Sequence, residues 1–131
     1  MQAGIKGTYE TTVTDGMTAA NMKSGALPVL ATPMMIACME NVCFESIGPH
    51  LEPGQGTVGV KVDVAHLAPT PVGAAVRFEC ELVEVDRKRL VFAVKAYDEA
   101  GLIGEGRHER FIIDNQKFIN RLQKKFGGAE K

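Results

Sequence analysis

The chain has 131 residues, of which 45% are hydrophobic and 24% are charged, and its formal net charge is −1. These values predict one globular domain over residues 1–131, large enough to bury a stable core. The weak net charge argues against a nucleic-acid-binding protein, and no apolar run reaches the roughly 18 residues of a membrane span. The N-terminus lacks a secretion-signal pattern and the three cysteines form no CxxC motif. We therefore expect a cytoplasmic protein with neither nucleic acid nor a membrane as partner.

The N-terminal part of the chain predicts one strand followed by an irregular segment. Residues 5–13 alternate with the period of two that is typical of a strand. Residues 14–31 have no such period; Thr14-Asp15 could cap a short helical turn, which a glycine and a proline then interrupt. We interpret residues 14–31 as a loop or lid.

A long apolar helix is predicted next, from Thr32 to about Ile47. Thr32 is a favourable N-cap and Pro33 suits the first helical position. Gly48-Pro49 ends the helix. Because its interior is apolar on most sides, we expect this helix to be buried nearly all round.

The second half of the chain predicts four strands in a meander and then a short helix. The first of these strands carries alternating valines at positions 58, 60, 62 and 64, which should share one face. One helix covered by an antiparallel sheet is an α+β arrangement. The predicted strands are 57–66, 74–85, 89–98 and 102–113; Asp114 caps a basic helix over 115–125, and the tail 127–131 should fray.

Three polar residues occupy positions that usually hold core residues. Glu40 lies in the middle of the apolar helix, where a carboxylate is costly unless it is paired or used in catalysis. His66 follows the valines in period two and should point to the core side near the rim of the sheet. Thr32 lies at a helix N-terminus, whose N–H groups can stabilise an oxyanion. The alternatives are a paired structural glutamate, a core histidine and a simple N-cap.

The spacing of Thr32 and Glu40 adds a constraint. Eight residues of helix separate the two by about 12 Å along the axis. One substrate carbonyl cannot easily contact both within one chain, so we hypothesise a site shared by two subunits. Asp63 and His66 could suggest a metal pair, but the three histidines lie in three different contexts, and we expect no zinc site.

Three segments, ATPMMIACMENVCFESI, TVGVKVDVAHLAPTP and GEGRHERFIID, resemble the fluoroacetyl-CoA thioesterase-like family of the hot-dog fold thioesterase superfamily. The resemblance extends over about residues 7–125. It implies a long central helix wrapped by a curved antiparallel sheet of about five strands, dimerising with the sheets side by side. The catalytic residues that it implies are Thr32, Glu40 and His66, and the substrate-binding residues are Gly59 and Arg110.

This resemblance implies hydrolysis of an acyl-CoA thioester at the dimer interface, in a homodimer or a dimer of dimers. Glu40 would act as nucleophile or general base, His66 would assist proton transfer, and Thr32 would act near the oxyanion. No metal or redox cofactor is expected. Because residues 14–31 contain no aromatic residue, we expect a short or medium acyl group other than fluoroacetyl. The alternatives are a non-catalytic acyl-CoA-binding hot-dog protein and a hydratase or dehydratase, whose Asp-x4-His pattern is missing.

Overall fold

A computed structural model describes residues 1–127, which form one antiparallel sheet packed against a long helix. The prediction of a frayed tail falls almost entirely on residues 128–131, which lie outside the described residues. The five strands are β1 (Lys6–Thr12), β2 (Gln55–His66), β3 (Ala75–Asp86), β4 (Arg89–Asp98) and β5 (Gly101–Asp114). The helices are α1 (Ala19–Met22), α2 (Thr32–Ile47) and α3 (Asn115–Lys125), with 3-10 turns at Asp15–Met17 and Gly48–His50.

The strand order is β1-β3-β4-β5-β2, and every pair is antiparallel. The predicted meander is therefore correct for β3, β4 and β5 but wrong for β2, which pairs with β5. The connection after β2 is too long and too rich in proline for a hairpin turn, so it carries the chain away from β2 before β3 begins. Within residues 1–127, the outer edge of β2 has no strand partner. No helix in this range is long and apolar enough to cross a membrane.

The core lies between one face of α2 and the inner face of the sheet. The alternation predicted for β3 is confirmed, since its inward side chains at 76, 78, 80 and 82 are all buried. All three cysteines are free and buried. Each large apolar side chain in this layer contributes about 1.5–3 kcal/mol to stability relative to an exposed position. The helix supplies Met35, Cys38, Met39, Val42, Cys43 and Ile47 to this core.

The other side of α2 is exposed, so the prediction that this helix is buried nearly all round is wrong. Pro33, Ala37 and Asn41 are exposed along this side, and Phe44 retains 47% of its accessible surface. A single sheet is one layer and can cover only one side of a helix. An exposed apolar side on a long helix indicates a surface that a further layer could cover.

The valines of β2 do not share one face, because the strand contains a β-bulge at Val60. The pairing register with β5 shifts between Gly59 and Lys61. Such an extra residue reverses the alternation that follows it. Gly59 pairs with Arg110 and His66 with Gly104, an even spacing along β5, so both lie on the helix side of the sheet. The bulge thus brings Gly59 and His66, seven positions apart in sequence, to the same face.

Candidate active site

Thr32 and His66 form the first polar cluster, at the N-terminus of α2. Thr32 is the first helical residue, so the predicted N-cap is wrong by one position; the N-cap is Ala31. The backbone explains this shift, because Ala31 donates to the carbonyl of Met17 and accepts from the N–H of Met35. The Thr32 hydroxyl is consequently not used for capping. Its Oγ1 lies 2.7 Å from Nδ1 of His66.

His66 has the properties of a reactive imidazole. Its Nε2 is buried without a hydrogen-bond partner among the described residues, a situation that costs about 1–3 kcal/mol and is rare in ordinary cores. Burial lowers the pKa of His66 below its ordinary value of 6.5, an effect that the nearby backbone of Ala68 partly opposes. The ring is therefore neutral at pH 7 and can accept a proton.

The Thr32–His66 pair borders a cavity of about 300 Å³ between the lid and the start of α2. The lid, predicted as an irregular loop, contains a 3-10 turn and the short α1. A bridge from Val29 to Pro71 ties the lid to the rest of the protein, and a bridge from Thr18 to Leu30 joins the two ends of the lid to each other. Other residues that line the cavity are Ala19, Ser24, Leu67 and Pro69.

Glu40 lies in a second polar cluster, farther along α2. The point where a Cβ of Gly59 would lie is 2.9 Å from Oε2 of Glu40, 3.2 Å from Cε1 of His108 and 3.3 Å from Nη1 of Arg110. On the side that faces β2 and β5, Glu40 therefore has polar neighbours. Its side chain remains 41% exposed, which reduces the cost of keeping it ionised.

Arg110 is buried and held by several contacts at once. Its Nε donates to Oγ1 of Thr57 at 2.8 Å, and its Nη2 donates to the carbonyl of Thr57 at 3.1 Å. Its Nη1 donates to Nε2 of His108 at 3.1 Å, and the guanidinium lies 5.7 Å from the centre of the Phe44 ring. Burial lowers the pKa of Arg110 while Glu40 raises it, and a guanidinium stays protonated in either case.

His108 is a neutral imidazole with a defined tautomer. Its Nδ1 lies 2.8 Å from the carbonyl of Lys61, which can only accept, so Nδ1 carries the proton and Nε2 accepts from Arg110. Burial lowers the pKa of His108, and Arg110 lowers it further against the opposing effects of the Lys61 backbone and of Glu40. The 4.0 Å approach of Glu40 to His108 is therefore not an ion pair.

The structure joins Thr32 to His66 and places Glu40 with Gly59 and Arg110, but it does not join the two clusters. Because α2 is continuous from Thr32, about 12 Å of helix separates Thr32 from Glu40. The Thr32–His66 pair lies at the N-terminus of α2. The Glu40 cluster lies near the exposed side of this helix, where Phe44 contacts Arg110. Within residues 1–127, no group of three histidine, cysteine or carboxylate side chains is placed to hold a metal ion.

Comparison with known proteins agrees with this fold and identifies the family. The profile of the family described as FlK, fluoroacetyl-CoA-specific thioesterase, matches residues 13–116. The chain belongs to this family. It is 40% identical over 97 residues to the fluoroacetyl-CoA thioesterase of Streptantibioticus cattleyicolor, covering 74% of this chain and 70% of that protein. Since that relative is a thioesterase, the chain is a thioester hydrolase.

Solved structures confirm the hot-dog fold. A variant of the FlK thioesterase, crystallised with fluoroacetate and CoA, is 35% identical with a TM-score of 0.85 and covers 90% of this chain and 99% of that chain. A hot-dog-like protein from Thermanaerovibrio acidaminovorans is 26% identical with a TM-score of 0.90, covering 98% of this chain and 95% of that chain. The predicted α+β arrangement, with a long helix, five strands and a short C-terminal helix, is thus correct.

Sequence reasoning missed two residues of the polar cluster around Arg110, His108 and Thr57. Both are buried polar residues that contact Arg110. A usable signal existed for His108, because it precedes Arg110 by two positions in one strand and so shares its face. For Thr57, the signal appears only when the pairing of β2 with β5 is known.

Gly59 gives the first testable prediction. In Gly59→Ala, the new Cβ would lie 2.9 Å from the end of the flexible Glu40 side chain, and 3.2 Å and 3.3 Å from the more firmly held His108 and Arg110. We expect Tm to fall by only a few degrees while kcat/KM for the thioester falls by about 10-fold to 100-fold, because the carboxylate moves and the two held side chains must shift by a few tenths of an ångström. Thermal unfolding and a thiol-release assay measure the two effects. Gly16→Ala is the matched control, since Gly16 is exposed, does not have a positive φ, and the new Cβ would meet only Nδ2 of Asn21 at an ordinary contact distance of 3.8 Å. Equal activity in both variants would contradict the prediction.

Proposed function

We propose that this thioesterase hydrolyses a short or medium acyl-CoA to the free acid and CoA. The observation that carries this proposal is the position of the Glu40 carboxylate, beside Gly59 and near the buried guanidinium of Arg110. A carboxylate next to a fixed cation suits attack on a carbonyl whose oxygen gains negative charge. The CoA in the crystal of the FlK variant supports the same substrate class.

We propose that two subunits complete each site. The outer edge of β2 is free within the described chain, and apolar side chains lie exposed near it, with Val60 at 56% and Leu67 at 53%. Pairing two β2 edges in an antiparallel sense would cover this surface in a homodimer, either alone or within a dimer of dimers. The His66 end of one β2 then runs toward the Gly59 region of the other. Thr32 and His66 of one subunit would thereby face Glu40 of its partner.

The proposed chemistry is acyl transfer to Glu40 or to a water that Glu40 activates. In the first route, Glu40 attacks the acyl carbon, the C–S bond breaks, and CoA leaves as the thiolate. Water then attacks the mixed anhydride, which releases the free acid and restores the carboxylate. His66 would take the proton of that water and pass it to the thiolate, since its neutral ring can accept and return one.

The oxyanion in this mechanism has two sources of stabilisation. The start of α2 provides N–H groups and the positive end of the helix dipole next to Thr32. Arg110 uses three of its five N–H groups on Thr57 and His108, and the other two can donate to the reacting group. The proposed mechanism uses no metal ion, because Arg110 and the start of α2 supply the positive charge, and it uses no redox cofactor, because acyl transfer involves no change of oxidation state. The three free thiols also favour a reducing, cytoplasmic location, which we include in the proposal.

The acyl group that we propose follows from the lid. The cavity beside Thr32 and His66 has a volume of about 300 Å³, at the small end of ligand pockets. Its lid side chains, among them Ser24, Val29 and Leu30, are not aromatic. Aliphatic walls accept methylene groups with little discrimination, so short and medium chains should bind better than fluoroacetyl.

A thiol-release assay across a series of acyl-CoAs tests this proposal. We expect kcat/KM to be highest for short or medium saturated chains and lower for fluoroacetyl-CoA, because the cavity rewards apolar contact. Acyl-CoA hydration measured in parallel addresses the hydratase alternative. A folded dimer that binds acyl-CoA but hydrolyses none of the series would favour the non-catalytic alternative and sink the proposal.

A further inference from the structure

We infer that His108 is a positioning residue that keeps the Arg110 guanidinium away from the Glu40 carboxylate. Nη1 of Arg110 donates to Nε2 of His108 at 3.1 Å. In contrast, the part of the chain from 1 to 127 contains no Arg110–Glu40 ion pair, although both groups border the same point above Gly59. The inference rests on the proposed function, in which Glu40 is the reactive group.

The two candidate partners of Arg110 are close enough to compete. Nη1 lies 3.3 Å from the point where a Cβ of Gly59 would lie, and Oε2 of Glu40 lies 2.9 Å from that point. Both groups therefore border one point, and movement of the guanidinium toward that point would bring it closer to the carboxylate. The carboxylate also lies near the other partner of Arg110, since Oε2 of Glu40 is 4.0 Å from Nε2 of His108.

A direct pair between Arg110 and Glu40 would impair the proposed reaction. Paired arginine and carboxylate groups form short, often bidentate hydrogen bonds. Such bonds occupy the oxygen lone pairs that must attack the carbonyl or take a proton from water. They also use the two guanidinium N–H groups that remain for the substrate. The observed arrangement keeps both groups near the reacting atoms without letting them neutralise each other.

His108 is built to hold this position. Its ring is 1% exposed and stacks on Phe92 with a centroid distance of 6.4 Å. The Nδ1–H bond to the Lys61 carbonyl, which lies next to the β2 bulge, fixes the tautomer and directs the lone pair of Nε2 at Arg110. The charged groups that act on this ring are Arg110, Glu40 and Glu109. Thr57 holds the other side of the guanidinium from β2.

A pair of His108 variants tests the inference. His108→Phe keeps an aromatic ring against Phe92 but removes the acceptor, whereas His108→Gln retains an acceptor for Arg110. We expect kcat to fall by about 10-fold to 100-fold in His108→Phe, with KM changed less than threefold, and His108→Gln to recover most of that loss. Thermal unfolding identifies any variant that fails to fold; if His108→Phe is one of them, His108→Leu, which also lacks the acceptor, takes its place in the comparison.

A double-variant cycle separates positioning from a general structural role. In an Arg110→Gln background, His108→Phe should cause no further loss of kcat, because His108 acts through Arg110. Additive losses would overturn the inference. A crystal structure of His108→Phe supplies a measurement that does not depend on activity. In this structure, the Arg110 guanidinium should lie at hydrogen-bonding distance from the Glu40 carboxylate, about 2.8 Å. If Arg110 stays in place, the inference fails, whereas an inactive parent enzyme would reject only the proposed function.

Discussion

Replacing Glu40 with glutamine should lower kcat for acyl-CoA hydrolysis by about 10²-fold to 10⁴-fold. The amide keeps the size and polarity of the side chain but can neither attack the carbonyl nor accept a proton. Fold and Tm should change little, because Glu40 is 41% exposed and forms no ion pair with Arg110 among the described residues. Steady-state kinetics with the best acyl-CoA of the series measures the effect.

Glu45→Gln is the matched control for this variant. Glu45 lies on the same helix, five positions further along, and is exposed to solvent. The same chemical change there should leave kcat within twofold. A quenched single turnover followed by mass spectrometry would distinguish the two routes. An acyl group on Glu40 indicates that Glu40 is the nucleophile, and its absence indicates that Glu40 is a general base. If Glu40→Gln retains wild-type kcat, Glu40 is not the reactive group.

The sequence predicted the elements of this fold better than the way they meet. Local signals were sufficient for α3, which begins after Asp114 and covers Asn115–Lys125 as predicted, because the Asp114 side chain accepts from the N–H of Lys117. The same holds for β3, whose alternation alone identified the buried side chains. Such signals depend on a few neighbouring residues and on a period that the sequence displays.

The errors occurred where tertiary contacts decide the outcome. Valines continue on both sides of the bulge in β2, so the amino-acid pattern conceals the extra residue that pairing with β5 creates. The backbone bond from Ala31 to Met17 moved the N-cap by one residue and left the Thr32 hydroxyl free to reach His66. Neither contact is local. The resemblance supplied Gly59 and Arg110, but the role of His108 required the orientation of three side chains.

The two clusters of the site follow from these non-local contacts. The bulge brings Gly59 and His66 to one face, and continuous helix keeps Thr32 away from Glu40. One chain thus carries two polar sets that lie at different heights along the same helix. If each site is shared by two subunits, the Thr32–His66 pair of one subunit combines with the Glu40 cluster of the other. A homodimer then has two equal sites.

Mixing two inactive variants should restore activity if each site is shared. In a dimer with Glu40→Gln on one subunit and His66→Asn on the other, one site carries both changes and the other carries neither. Random exchange makes half of the dimers mixed, so the mixture should reach about a quarter of wild-type kcat. The variants are unfolded and refolded together, and the activity is compared with that of each variant refolded alone.

The control for subunit exchange is a mixture of Glu40→Gln with Glu40→Ala, in which no intact site can form. If each site lay within one chain, every subunit of the first mixture would still carry one defect, and activity would stay at the level of the single variants. Recovery in the first mixture and none in the second would place Glu40 of one subunit with Thr32 and His66 of the other. The 12 Å of helix between Thr32 and Glu40 makes this the expected result.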